Sequence, residues 1–213
     1  MAERVLIFGA TGGTGQHLVR QALDRGLHVT AFVRDPTKLD IEDENLRIAL
    51  GDMLNGESVE RAMAEGFDAV FCAAGIYQRE YKTDLSDGTK NILAAMKKCG
   101  VRRLLVVSSL GAGDSKDQGA WWVKAYYRFM LKYVIWDKDT QEQDIRDSGL
   151  DWTIVRPPRL FESEVVNPDV TIWSAPQPQK KLRWSTTRAT LAKVMLDALA
   201  ENSYVGEGIN ISD

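Results

Sequence analysis

Val5-Leu6-Ile7-Phe8-Gly9-Ala10-Thr11-Gly12-Gly13-Thr14-Gly15 is an apolar run that breaks into a glycine loop, with Gly9, Gly12 and Gly15 in the G-x-x-G-x-x-G spacing. Arg4 to Phe8 read as a short buried strand. Gln16 to Arg25 follow with apolar residues at Leu18, Val19, Ala22 and Leu23, one face of a helix, and Gly26 supplies a left-handed stop. A strand that turns directly into a helix aims free backbone N–H groups at whatever lies over the turn, and the helix dipole favours an anion there. Glycine is required because a side chain would block the approach of a pyrophosphate. A glycine turn that merely joins two packed elements is the alternative, and the strand–loop–helix context favours the dinucleotide.

The second strand bears on which dinucleotide. His28 to Val33 is the next apolar run, and it ends in Arg34-Asp35-Pro36-Thr37-Lys38. A carboxylate at the tip of this strand accepts hydrogen bonds from the ribose hydroxyls of NAD, whereas a guanidinium there holds the 2′-phosphate of NADP. Arg34 stands at the tip and Lys38 one helical turn on, with Asp35 as a competing ribose acid. Side chains alternate along a strand, so Arg34 and Asp35 cannot both face the ribose. The pattern favours NADP.

The chain has 213 residues, 44% of them hydrophobic and 27% charged, the composition of an ordinary globular protein with enough residues for a full core. A net charge of −3 and the lack of any basic-plus-aromatic stretch argue against a nucleic-acid partner. Cys72 and Cys99, the only two cysteines, suggest a reducing compartment, and with structure starting by residue 4 a signal peptide is not expected. No apolar run has the length of a membrane span. The expected location is cytoplasmic. His17 and His28 are the only histidines, so neither a metal site nor a Ser-His-Asp triad is expected.

Strand and helix patterns alternate along the chain. Strands are expected at Leu46–Leu50, Asp68–Cys72, Arg103–Ser109, Trp152–Val155 and Gly208–Ser212, with helices near Glu57–Ala64, Leu85–Lys98 and Thr140–Asp147. Thr187 should cap a final helix with apolar residues at Leu191, Val194, Met195 and Leu199. Continuous apolar strands between amphipathic helices predict an α/β fold: a Rossmann-type, doubly wound parallel sheet of order 3-2-1-4-5-6 plus a short extra strand. The whole chain, 1–213, reads as a single domain. Two segments depart from the alternation. Residues 111–136 form an aromatic insertion with Trp121, Trp122, Tyr126, Tyr127, Phe129, Tyr133 and Trp136, where Lys124, Arg128 and Lys132 share one helix face. It reads as an amphipathic helix packed on the domain, a wall or lid for an apolar substrate, or a dimer or membrane-surface contact. Residues 160–186 form a small substrate region in which Val170–Trp173 and Leu182–Ser185 flank a Pro/Gln/Lys turn, predicting a hairpin beyond the main sheet.

In open α/β sheets a ligand lies outside the carboxyl ends of the strands, where the strand order reverses. That rule gathers the Gly9–Gly15 loop (Gly9, Thr11, Gly12, Gly13, Thr14, Gly15), Arg34 with Lys38, Asp52 and Met53, Ala73-Ala74-Gly75, Ser108 and Ser109, and Arg156-Pro157-Pro158-Arg159. Asp52 can accept from an adenine amino group and Met53 can pack on the ring. The small residues of 73–75 permit close approach, and Pro157 and Pro158 give a rigid wall for a nicotinamide. Each residue alone reads as structural; together, in order along successive strand ends, they describe a cofactor cleft.

These motifs, with Ser148-Gly149-Leu150-Asp151-Trp152-Thr153-Ile154-Val155-Arg156-Pro157-Pro158, resemble an atypical short-chain dehydrogenase/reductase. The nearest subgroup is the NAD(P)H-binding proteins similar to biliverdin reductase B/flavin reductase and to NmrA-like proteins. The resemblance implies NADPH across the glycine loop, with Thr11, Arg34 and Lys38 around the 2′-phosphate and Ser109 beside nicotinamide and substrate. Where that subgroup has a histidine after Pro-Pro, this chain has Arg159. The Tyr-x-x-x-Lys pair of ordinary short-chain dehydrogenases is missing. Tyr133 and Lys138 are five apart, about 140° round a helix, so they face different ways. Lys138 is a candidate for the nicotinamide ribose or a substrate anion; alternatively it is an exposed lysine pairing with Glu142. The expected activity is NADPH-dependent hydride transfer to a planar conjugated acceptor (a flavin, tetrapyrrole or quinone), with Ser109 and Lys138 assisting. A redox sensor that binds NADP(H) without turnover, and an isomerase or epimerase that returns the hydride, are the alternatives. The expected partner is the small planar substrate, with no nucleic acid and no membrane span, and the chain should be a monomer or weak homodimer.

Overall fold

The computed structural model describes residues 3–75, 79–118, 125, 129–174, 183 and 185–213. Strand β1 (Arg4–Phe8) leads through the glycine loop into helix α1 (Gly13–Asp24), and β2 (His28–Val33) and β3 (Leu46–Leu50) follow. Then come α2 (Gly56–Met63), β4 (Ala69–Cys72), α3 (Asp84–Cys99), β5 (Arg103–Val107), α4 (Lys132–Arg146) and β6 (Asp151–Arg156). The rest of the chain supplies β7 (Arg159–Phe161), β8 (Thr171–Ser174), β9 (Ser185–Thr187), α5 (Arg188–Ala200) and β10 (Glu207–Ser212). The expected helix ends are made as the sequence dictates: Gly26 and Gly100 have φ of +76° and +74°, and the Thr187 hydroxyl accepts from Thr190 N at 2.9 Å.

The main sheet has the order β3-β2-β1-β4-β5-β6-β10-β8. Its first six strands reproduce the doubly wound order, each pair parallel. β10 adds in parallel beside β6, and β8 closes the edge antiparallel to β10. Alternate side chains divide the core into two layers. Val5 and Ile7 of β1 face α1 and α5, where they join Leu18, Val19, Leu191 and Met195. Leu6 and Phe8 face α2, α3 and α4, with Val59, Met63, Ile92, Met96 and Ile145. A strand whose neighbours are all fully buried has to be apolar on both faces, which is why these runs lack the polar alternation of a half-exposed sheet.

Among the described residues, the two flanks of the hairpin expected within 160–186 are not paired with each other. β8 pairs with β10, in the register Trp173↔Asn210, and β9 instead pairs in parallel with β7, Arg159↔Ser185. The physical reason lies in Trp173. Beside β10 it is buried against Leu110, Ala112 and Ile135, which an isolated two-stranded ribbon could not provide. The turn itself, with Leu182 and Trp184, lies outside the described residues, as do Trp121, Trp122, Lys124, Tyr126, Tyr127 and Arg128 of the aromatic insertion. Of that insertion, Phe129 and Met130 are exposed, and Tyr133 packs edge-on against Tyr81 with ring centroids 4.7 Å apart.

Candidate functional site

A cavity of about 480 Å³ opens over the carboxyl ends of β1, β2, β3 and β4. Its lining includes Gly9, Thr11, Gly12, Arg34, Asp52, Met53, Ala73, Ala74 and Gly75, nine of the residues singled out from the sequence. Phe8, Phe32, Val33, Gly51, Leu54 and Asp84 complete the wall. The volume is that of a small-molecule or cofactor cleft.

Close backbone approach explains the small residues. Gly9 has φ +76°, and a Cβ on it would lie 2.6 Å from Ala74 N, so the ends of β1 and β4 meet only because neither carries bulk. A Cβ on Gly15 would lie 2.0 Å from Gly9 O, so the loop folds against the first turn of α1. Gly12 is different: it is exposed, sits at the N-cap in extended conformation, and a Cβ there would meet only Gly9 O at 3.3 Å. That contact is tight, but a shift of a few tenths of an ångström would relieve it, so the fold itself constrains Gly12 far less than Gly9 or Gly15. No side chain caps α1, and its first turn has no acidic residue. The N–H groups at that helix start are therefore left for an anion, and the loop fits the pyrophosphate of a dinucleotide.

At the tip of β2, Arg34 and Asp35 make different contacts. The Asp35 carboxylate accepts from the backbone N–H and hydroxyl of Thr37 at 3.1 and 2.7 Å, capping the 3-10 turn Pro36–Lys38. The two Thr37 hydrogen bonds hold its carboxyl below the usual carboxylate range, with a smaller push from Lys38. Arg34 extends into solvent at the cavity rim, with 80% of its side chain exposed and Asp52 3.9 Å away. Lys38 is exposed, 3.8 Å from Asp35, and is not part of the cavity wall. Asp52 accepts from Leu54 N at 3.0 Å with one oxygen, and Met53 lies under α3 in the space left by Gly88.

The residues after β5 and β6 are arranged otherwise than their sequence positions suggest. Ser108 is buried and its hydroxyl donates to Glu142 at 2.6 Å. Glu142 also takes two hydrogen bonds from Arg156, at 2.9 and 2.6 Å, and the Arg156 guanidinium reaches Asp114 at 2.6 Å. Arg156 is completely buried; burial works against its charge, but Glu142 and Asp114 more than offset this and raise its pKa. This ion pair ties β6, α4 and the segment after β5 together, and its members lie outside the cavity wall. Ser109 is half-buried, donating to Leu110 O at 3.1 Å, and Pro157 and Pro158 are buried. Gly13, Thr14 and Gly15 begin α1 behind the cavity lip.

Lys138 is not the exposed helix lysine paired with Glu142 that i,i+4 spacing allows. It is buried, and its ammonium donates to Val107 O at 3.1 Å, beneath the end of β5. Burial pushes its pKa down; burial likewise pushes the Cys72 thiol up. The ring of Tyr133 meets Tyr81 and has Lys132 over it at 4.6 Å, whereas the Lys138 ammonium donates to Val107 O.

A doubly wound sheet with a bare glycine loop over its cleft defines a dinucleotide-binding protein. The chain belongs to the NAD(P)H-binding family, whose model matches residues 9–202, as the resemblance implied. It is similar to an uncharacterized chloroplastic protein of Arabidopsis thaliana, 29% identical over 214 residues that cover 93% of this chain and 72% of that protein. It is 34% identical over 122 residues to cinnamoyl-CoA reductase 1 of Oryza sativa subsp. japonica, a match covering 52% of this chain and 35% of that protein's length. The fold is shared with a short-chain dehydrogenase/reductase of Veillonella parvula in complex with NADP, at a TM-score of 0.85 and 20% identity over 100% of this chain and 95% of that one. Among the described residues no helix is long and apolar enough to cross a membrane.

Proposed function

We propose that the protein is an NADPH-dependent reductase that passes hydride to a planar conjugated acceptor, a flavin, tetrapyrrole or quinone. The observation that carries the choice of coenzyme is the division of labour at the β2 tip. One Asp35 oxygen takes both Thr37 hydrogen bonds and the residue is outside the cavity wall, which favours Arg34 at the cavity rim as the group that forks onto a 2′-phosphate, with Lys38 adding charge behind it. In this reading Gly12, Gly13 and Thr14 present the start of α1 to the pyrophosphate, with Gly9, Thr11 and Gly15 shaping the loop. Asp52 and Met53 meet the adenine, and Ala73 to Gly75 give the cofactor room. Pro157 and Pro158 back the nicotinamide.

NADPH supplies a hydride when bound. The rest of the chemistry falls to orientation, because Tyr133 and Lys138 make no acid pair of the kind that protonates a carbonyl. An acceptor that takes its proton from water suits such a site. Ser109 orients the acceptor, and Lys138 supports the end of β5 from below; Ser108 holds the same strand end through Glu142. The reductase class draws support from the rice relative, which shares about a third of its sequence over half of this chain.

Cys72 and Cys99 are both free, which suits a reducing compartment such as the cytoplasm, and we take the working unit to be a monomer or weak homodimer. The test is steady-state consumption of NADPH with FMN, biliverdin and a quinone, beside NADPH titration without acceptor. Sustained oxidation with any of the three is the expected result. Tight NADPH binding with no turnover on all three would replace the reductase by a redox sensor.

A further inference from the structure

The small sheet β7–β9 carries two charged side chains to the glycine loop, and neither was singled out from the sequence. A Cβ on Gly13 would lie 2.6 Å from both Cδ and Nε of Arg188 and 3.1 Å from a carboxylate oxygen of Glu162. Arg188 therefore lies across the first residue of α1. Its Nη1 is 3.4 Å from Glu162, whose other oxygen meets His17 Nε2 at 2.8 Å. His17 is buried on α1, one turn beyond the loop, and Glu164 stands 3.6 Å from its other nitrogen.

The charge balance here is unusual. Arg188 is the first residue of α5, a helix with no acidic residue in its first turn, so a cation sits where the helix dipole disfavours one. The start of α1, equally without an acidic residue, adds a second positive helix end directly beneath the guanidinium. Gln21 of α1 donates to Ala189 O at 3.0 Å, which keeps the two helices in this arrangement. Two helix starts and a guanidinium thus converge on the carboxylate of Glu162, whose side chain is 63% exposed. A cation placed against two helix starts, and balanced only by a largely exposed carboxylate, departs from local electrostatic preference in the way functional positions do.

We propose that Arg188 is a further cofactor-binding residue, closing over the pyrophosphate from the α5 side, and that Glu162 holds Arg188 as an internal counter-anion which the incoming diphosphate displaces. The inference rests on the coenzyme lying across the glycine loop. Its role differs from that of Arg34: a pyrophosphate belongs to NADH and NADPH alike, so Arg188 contributes to affinity and not to the choice between them. Glu162 works in the opposite direction, because its carboxylate competes for the same guanidinium and the same helix start.

The experiment is fluorescence titration of NADPH and of NADH against the wild type, Arg188→Ala and Glu162→Gln. Arg188→Ala should weaken both coenzymes by about tenfold, the effect of one charge-assisted hydrogen bond. Glu162→Gln should tighten both by roughly threefold, since removing a partly exposed like charge is a smaller perturbation. A purely structural ion pair gives another pattern: both variants lower the melting temperature and neither moves the affinities in opposite directions. That pattern, or unchanged binding in Arg188→Ala, overturns the role given to Arg188 while leaving the glycine-loop site standing. A wild type that binds neither coenzyme overturns both.

Discussion

Replacing Arg34 by alanine isolates the group that would tell NADPH from NADH. The side chain is 80% exposed, and its ion-pair contact among the described residues is Asp52 at 3.9 Å, beyond hydrogen-bond range. Its removal strands no buried partner and should leave the melting temperature unchanged. A hydrogen bond to a charged group contributes about 1.5–3 kcal/mol. Solvent around this rim screens the interaction, which puts the expectation at the lower end, about 1.5 kcal/mol or roughly tenfold in Kd. The loss should shrink further as salt is raised. NADH, with a hydroxyl in place of the phosphate, should bind the variant as it binds the wild type. Titrating both coenzymes at two ionic strengths gives all four numbers. Equal losses for NADH and NADPH would refute the assignment, and a larger loss for NADH would point to a ribose-binding role at this strand tip.

The glycines of the loop should separate binding from folding. Gly12→Val has one tight contact to relieve, with Gly9 O at 3.3 Å, and at its exposed, extended position should still fold yet lose NADPH affinity, whereas Gly15→Ala must push a Cβ into Gly9 O, 2.0 Å away, and should destabilise the fold by about 1–3 kcal/mol in a denaturant titration. Glu142→Ala leaves the buried Arg156 with Asp114 as its remaining carboxylate; the expected cost in the same titration is about 3 kcal/mol, the lower end for a broken buried pair, and a loss under about 1 kcal/mol would show that the network does not hold the strand ends. Ser109→Ala should lower kcat/KM with FMN or a quinone about tenfold, equivalent to about 1.4 kcal/mol. Tyr133→Phe should be nearly silent in that assay, and a collapse of several orders of magnitude with binding intact would mean that a tyrosine acid operates and that the substrate is a carbonyl compound.

The parts of this molecule that were legible in its sequence are those set by local pattern. Strand order followed from continuous apolar runs, and the cavity wall followed from their carboxyl ends, because a doubly wound sheet delivers every strand end to one side. Arg34 and Asp35 could be ranked only as neighbours in sequence. What distinguishes them is Thr37, whose N–H and hydroxyl both donate to one oxygen of Asp35. The contacts of Ser108 and Arg156 with Glu142 span 34 and 14 residues and depend on how α4 packs, so each of the three reads from sequence as an ordinary strand-end or helix residue. Arg188 and Glu162 were overlooked for the same reason: they reach the loop by way of β7, β9 and α5. The pairing of β8 with β10 was not legible because an antiparallel edge strand carries no signal of its partner, and the edge of β10 offers backing that an isolated ribbon lacks.

That placement of β10 has a consequence for how the chain is made. Its Ile209 and Ile211 are fully buried between β6 and β8, in the interior of the sheet, yet they follow the six doubly wound strands in the order of synthesis. While residues 1–206 emerge from the ribosome, β6 presents an open row of backbone donors and acceptors, backed by apolar side chains that still lack their cover. Such an edge invites pairing with another nascent copy until residues 207–212 arrive to occupy it. The vulnerable interval ends when β10 is in place and β8 has docked against it, so the chain should be most prone to aggregation, and most dependent on chaperones, between the completion of β6 and the arrival of β10.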